Sequence, residues 1–261
     1  MKTKLSLAFF VAFVCLAFSA FGQTDADTNG FTRKAEAKNL LKGMDREGKW
    51  ITYLDSNIYR TADTGAPYYS LTVFKEGKEE GISRAYYKSG KPLFQVLYKA
   101  GKKNGAEKMY YEDGKIKGEA TFTDGKQTGV TKVYYKDGKL KGEYPFTDDK
   151  QNGIAKEYYP TGKLKGEYPY KNGHQDGLEK DYYASGIVSG EYPFIDGKRN
   201  GTLKEYYESG ILKDEYPCAN DKKNGMYKEY YDDGKLQMEI PFNNGVAGTP
   251  IAYDKNGKAL K

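Results

Sequence analysis

Between residues 82 and 248, apolar and polar side chains alternate in short runs, and each run closes on two tyrosines. The pairs are Tyr86-Tyr87, Tyr110-Tyr111, Tyr134-Tyr135, Tyr158-Tyr159, Tyr182-Tyr183, Tyr206-Tyr207 and Tyr230-Tyr231, so the pattern advances by 24 residues at each step. A constant interval of this size marks an array of small units that bury each other's faces. A glycine follows the second tyrosine by three residues, as in Asp113-Gly114, Thr161-Gly162 and Ser185-Gly186. Alternation closed in this way predicts a β-hairpin, because glycine accepts the positive φ that the turn requires. The second strand is clearest at Leu164-Lys165-Gly166-Glu167-Tyr168-Pro169-Tyr170, with one apolar and one wet side.

Two hairpin registers compete. A two-residue loop at Thr161-Gly162 sets Lys156 opposite Glu167, and likewise Lys132 opposite Glu143 and Lys204 opposite Glu215. A three-residue loop with Gly162 as a left-handed bulge residue pairs Tyr158 with Leu164 and Ile154 with Tyr168. The second register gathers Val130, Ile154, Leu178 and Met226 onto the face of Leu164, Tyr168 and Tyr170. Burying one such side chain is worth about 1.5 to 3 kcal/mol, against about 0 to 1 for an exposed ion pair. The second register is therefore expected.

The other connection, such as Lys171 to Gly177, is rich in Gly, Asn and Asp. Prolines at 145, 169, 193, 217 and 241 cannot donate to a ladder, so a bulge or bend is expected there in every unit. Hairpin following hairpin predicts an all-β fold: an elongated antiparallel β-meander of tandem hairpin repeats in a single twisted sheet. Around the 82–248 array, residues 50–81 read as a degenerate first repeat, Trp50 to Asp55 and Tyr69 to Gly81, interrupted by an insertion from Ser56 to Pro67. Residues 249–261 read as a capping strand. Residues 23–49 read as a polar N-terminal linker with a short helical stretch from Arg33 to Leu41.

Residues 1–22 carry Lys2 and Lys4, an apolar run from Leu5 to Phe18, and small residues at Ser19-Ala20 and Gly22. This predicts a secretory signal cut near Gly22; the run is short of the roughly 20 residues that span a bilayer. Ala12-Phe13-Val14 before Cys15 are too bulky for a lipid-anchor signal. The expected destination is the periplasm, the outer membrane surface or the medium. Loss of Lys2 and Lys4 lowers the formal charge from +6 to +4, spread among interleaved acids and bases. No basic stripe argues for nucleic acid, and so small a charge argues for peripheral membrane contact at most. Charged residues at 30% would suit a disordered chain, but 26 Tyr and 12 Phe supply apolar faces that disordered chains lack.

No arrangement of residues suggests catalysis, a cofactor or a metal. His174, the single histidine, stands where other copies have Lys126, Lys150, Lys198 and Lys222, and reads as a surface loop residue. Cys218 replaces Phe146, Tyr170 and Phe194 and reads as a half-buried filler. Glu119, Glu143, Glu167, Glu191, Glu215 and Glu239 recur identically, whereas a catalytic acid must be tuned apart from its neighbours. The Asp-rich turns lack the spacing of a calcium loop.

The combination of Gly153, Glu157-Tyr158-Tyr159, Gly162-Lys163-Leu164, Glu167 and Asn172-Gly173 through Gly177, with equivalents in each copy, resembles the membrane occupation and recognition nexus (MORN) repeats. The resemblance is closest to their bacterial, antitoxin-like variant and covers residues from Trp50 onward; Tyr and Phe stand where Trp is usual. It implies a non-enzymatic scaffold or partner-binding surface. The expected partner is a protein, met by a tyrosine- and charge-rich face on which Tyr111, Tyr135, Tyr159, Tyr183, Tyr207 and Tyr231 are the candidate contacts. The alternative is a cell-wall glycan or choline-type ligand stacked on the same rings. Lipid head groups are a weaker third.

Overall fold

The computed structural model describes residues 31–260, so the signal and the first part of the linker lie outside the described residues. The chain is nearly all β, an open antiparallel meander of hairpins, and divides after Asp149 into two compact units. In the first unit, Leu40–Lys42 pairs with Asp45–Leu54, which pairs with Tyr68–Lys75. Lys78–Tyr87, Pro92–Lys99, Lys102–Tyr110, Ile116–Thr123, Lys126–Tyr134 and Leu140–Thr147 then add in chain order, each antiparallel to the last. The second unit continues the scheme by itself, from Gly153–Tyr158 and Leu164–Lys171 to Leu236–Asn243. Ile251–Ala252 pairs onto Met238 and Glu239 at its end.

The stretch read as a linker is folded from Phe31 onward. Phe31 packs with Tyr69 and Leu71 in a buried cluster that Ala37, Ile51, Tyr53, Val73 and Tyr86 surround. Lys34 Nζ lies 3.7 Å from the Tyr69 ring centroid, a cation held over an aromatic face. The helical stretch shrinks to one 3-10 turn, Lys34–Glu36, because the extended backbone on either side serves this docking. The segment between Asp45–Leu54 and Tyr68–Lys75 joins two paired strands, and within it Arg60–Thr61 folds back onto Tyr53 and Leu54.

Both hairpin registers occur, joined by a bulge. At the turn, Gly162 N–H donates to Tyr159 O at 2.8 Å and Tyr159 N–H to Lys163 O at 2.9 Å, with Gly162 at φ +87°. This is the three-residue loop, and Tyr158 stands opposite Leu164. The pairing then shifts by one residue, so that Lys156 meets Glu167, Ala155 meets Tyr168 and Ile154 meets Pro169. The expected pairing of Ile154 with Tyr168 is therefore wrong, as is the burial it promised. Val130, Ile154, Leu178 and Met226 lie on the opposite face from Tyr168 and are 39, 54, 44 and 42% exposed. The energy comparison failed because one extra residue at Lys165 lets the apolar turn pair and the ion pair form together.

The other connection is a two-residue turn, for example Asn172 and Gly173 at φ +52° and +92° between Lys171 and His174. Beyond it the pairing shifts by two residues, and the bend sits on the strand facing Pro169, where Gly177 adopts φ +125°. The same shift faces Thr72, Leu97 and Ala120. Proline is thus tolerated at a place where no ladder donor is needed, and does not cause the bend.

Candidate functional site

Pairing assigns the side chains of each unit to two faces. On one, Lys156 lies directly opposite Glu167, Glu167 opposite Lys180, Lys180 opposite Glu191, and so on through Lys204, Glu215 and Lys228 to Glu239. The first unit repeats this in Lys108, Glu119, Lys132 and Glu143. Within hairpins the charges meet at 3.3 to 3.6 Å for Lys132 with Glu143, Lys156 with Glu167 and Lys180 with Glu191. The second oxygen of Glu167 and of Glu191 accepts from the first tyrosine of the following pair, Tyr182 and Tyr206, each at 3.1 Å, and Glu215 accepts from Tyr230 at 3.0 Å. Burial, then the hydrogen bond to its glutamate, pushes Tyr206 and Tyr230 each up to about 12, so both hydroxyls remain donors at neutral pH. We call this the ladder face.

The six candidate tyrosines are the second of each pair, and all are half-buried. Tyr111 donates its hydroxyl to Tyr134 O, Tyr159 to Tyr182 O, Tyr183 to Tyr206 O, Tyr207 to Tyr230 O and Tyr231 to Tyr253 O, at 2.5 to 2.8 Å. Tyr135 holds the corresponding place in its repeat. Tyr182-Tyr183, Tyr206-Tyr207 and Tyr230-Tyr231 therefore each fasten their hairpin to both neighbours, the first ring backward and the second forward. Five of the six hydroxyls are thus engaged by neighbouring main-chain carbonyls.

The opposite face, here the ring face, carries Tyr168 and Tyr170, and the acids that stand on it were not anticipated. Tyr144, Tyr168 and Tyr192 fold back over the glycine two residues earlier; a Cβ on Gly166 would stand 2.2 Å from the Tyr168 hydroxyl. Glycine is required there by the ring rather than by its own dihedral angle. Ala155 at 1% and Leu203 at 0% exposure lie beneath. Around them in the second unit stand Glu157, Asp181, Glu205 and Glu229, each immediately before a tyrosine pair, together with Glu179 and Asp214. Comparison of positions 24 residues apart reveals this row, since Ala85, Met109 and Val133 occupy the same place in the first unit. Asp181 accepts from Tyr168 at 3.1 Å, and burial followed by the Asp181 charge pushes the tyrosine hydroxyl far up. Asp214 is 6% exposed and directly opposite both Glu205 and Glu229; burial first, then Glu205, raises it to about 6.

His174 is exposed at its turn, 3.8 Å from Asp196. Cys218 is buried, more deeply than expected, and burial raises its thiol. Among the described residues no group of three His, Cys, Asp or Glu side chains has metal-binding geometry, and no helix is long and apolar enough to cross a membrane.

Recurring hairpins locked by side chains, with chemistry spread along two faces, define a tandem β-hairpin repeat protein. The sequence model of the MORN repeat variant matches seven tandem segments, 79–100, 103–124, 127–148, 151–172, 175–196, 199–217 and 223–244. These cover more than half of the chain, which belongs to that family. Its repeats are associated in general with binding, and the family is in general a non-enzymatic one. No curated protein matches the chain.

Proposed function

We propose that this chain is a non-enzymatic, exported scaffold that holds a protein partner along its tyrosine- and charge-rich sheet surface. One observation carries the reading. On the ladder face of the second unit Ile154, Leu178 and Met226 stand exposed in equivalent positions, opposite Pro169, Pro193 and Pro241. A row of apolar side chains bordered by ordered charge is the composition of a protein interface, with a dry centre and a polar rim. Stacking of sugars favours freely presented aromatic faces, and the half-buried rings with engaged hydroxyls favour the protein partner.

Site-specific photo-crosslinking tests this in the exported protein. A crosslinker at Leu178 is expected to yield one discrete protein adduct, and one at exposed Ser185 none. Retention on a cell-wall glycan column, lost in Tyr159→Ala and Tyr183→Ala, without any adduct from Leu178, would replace this reading with the glycan one. Mass spectrometry of the mature N-terminus checks export, with Gln23 expected first.

A further inference from the structure

The steps of the ring face differ in whether the chain supplies its own cation. Lys223 Nζ lies 4.2 Å from the ring centroid of Tyr216, 4.5 Å from Tyr227 and 5.1 Å from Phe242. One repeat earlier, Arg199 Cζ lies 5.5 Å from Tyr192 and 6.0 Å from Phe194. In the first unit, Lys103 Nζ lies 4.5 Å from Phe122 and pairs with Glu107. All three cations occupy the same place in the repeat, on the first short strand after the two-residue turn.

Between them that place is held by Gln127, Gln151 and Gln175, and of these three steps only that of Gln175 keeps the acid of the Lys103 step, since Thr131 and Ala155 stand where Glu179 does. Tyr168 stands where Tyr216 does, Phe194 where Phe122 and Phe242 do, and Glu179 where Glu107 does. Only neutral donors meet the acids: Gln175 Nε2 donates to Glu179 Oε2 at 2.5 Å, and the Tyr168 hydroxyl to Asp181 Oδ1 at 3.1 Å. Arg199 acts on Glu179 from the next step, and Lys165, which pairs with Glu157 at 3.0 Å, acts on Asp181 without a hydrogen bond to it. Burial is the first cause of a raised carboxyl at both Glu179 and Asp181, as expected where negative charge is held without a full counterion.

We propose that the Gln175 step takes its cation from outside, as the lysine or arginine side chain of an extended segment of a partner protein. Tyr168 provides the ring face, Phe194 being already faced by Arg199, and Glu179 and Asp181 provide the countercharge. The inference rests on the protein-partner reading above and names the chemistry of what is bound.

The test uses the full mature chain and a fluorescent octapeptide of alternating lysine and threonine, read by anisotropy at two salt concentrations. The probe is expected to bind, more weakly at high salt, while the same peptide with glutamate for lysine does not. Gln175→Lys places the chain's own cation on the ring, and is expected to weaken the probe about tenfold with unchanged or raised thermal stability. Retained stability separates a filled site from an unfolded one. Equal binding of the probe by Gln175→Lys and the parent, equal binding of the glutamate peptide, or no binding of the lysine peptide would each overturn the proposal. An adduct at Leu178 without probe binding sinks this inference and leaves the scaffold reading. Probe binding with the expected Gln175→Lys loss, but no adduct anywhere on the ladder face, does the reverse.

Discussion

The residue just before the tyrosine pair is Ala85, Met109 and Val133 in the first unit, and Glu157, Asp181, Glu205 and Glu229 in the second. The hairpins on either side of this change share the same turns, bulge and ladder. The lysine of the bulge registers the substitution. In the first unit Lys117 and Lys141 lie over the Tyr111 and Tyr135 rings, each 5.9 Å from the centroid. In the second, Lys165 and Lys213 turn instead to Glu157 at 3.0 Å and Glu205 at 3.4 Å. The ladder face holds the backbone, so the ring face is free to change chemistry without changing fold.

The largest effect expected from breaking this contrast is at Leu203, fully buried at the place Glu179 holds one repeat earlier. Leu203→Glu loses the apolar burial and leaves a carboxylate beneath the rings, costing about 3 kcal/mol or more. Glu179→Leu, the reciprocal change, should gain about 1 kcal/mol. Urea midpoints measure both; a cost below about 1 kcal/mol for Leu203→Glu would mean that the second unit has no ring-face core to protect.

Asp214 comes next, at the place of Gly142, Gly166 and Gly190. Its folded pKa of about 6 lies above the ordinary carboxylate value of 3.8, so the folded state binds the proton more tightly than the unfolded one. Its penalty is therefore absent below about pH 4 and complete above about pH 6. Asp214→Asn should stabilise by about 1 to 3 kcal/mol at about pH 7.5, and this advantage should shrink toward zero as pH falls to about 4. A gain independent of pH would show that packing, and not charge, is at fault. Tyr183→Phe, which leaves the Tyr206 carbonyl without its 2.5 Å donor, should cost about 1 kcal/mol by thermal denaturation. The loss should be the same for Tyr111→Phe in the first unit, since this contact does not change across the molecule.

The period, the three-residue loop and the positive-φ glycines were legible in the sequence because each depends on local backbone chemistry. The bulge at Lys165 was not, since Leu164-Lys165-Gly166-Glu167 reads as unbroken alternation and nothing local marks the shift. Its consequence, the exposure of Ile154 and Leu178, was hidden with it. Phe31 was missed because its partners Tyr69 and Leu71 stand far along the chain, beyond an apparently irregular segment. The six tyrosines were found by repetition, but repetition did not disclose that five of them donate to a neighbouring main-chain carbonyl. The ring-face acids escaped attention for the opposite reason: they change between repeats, and a search for the period discards what varies.

The smallest effect tests the contrast itself. Glu157→Val gives the second unit the residue that Val133 supplies one repeat earlier, and removes the partner of Lys165. That ion pair is substantially exposed, with side-chain exposures of 46% for Lys165 and 30% for Glu157, so solvent screening limits its worth to about 0 to 1 kcal/mol. The new valine recovers part of this by burying apolar area, and the net change should fall within about 0.5 kcal/mol. Lys165 should then behave as Lys141 does and settle over the ring of its own repeat, Tyr159. Ring current would move its side-chain methylene proton signals upfield, an effect that a merely loosened lysine would not show. Unmoved signals would mean that the lysine position is set by the local backbone, and that the acids of the second unit do not redirect it.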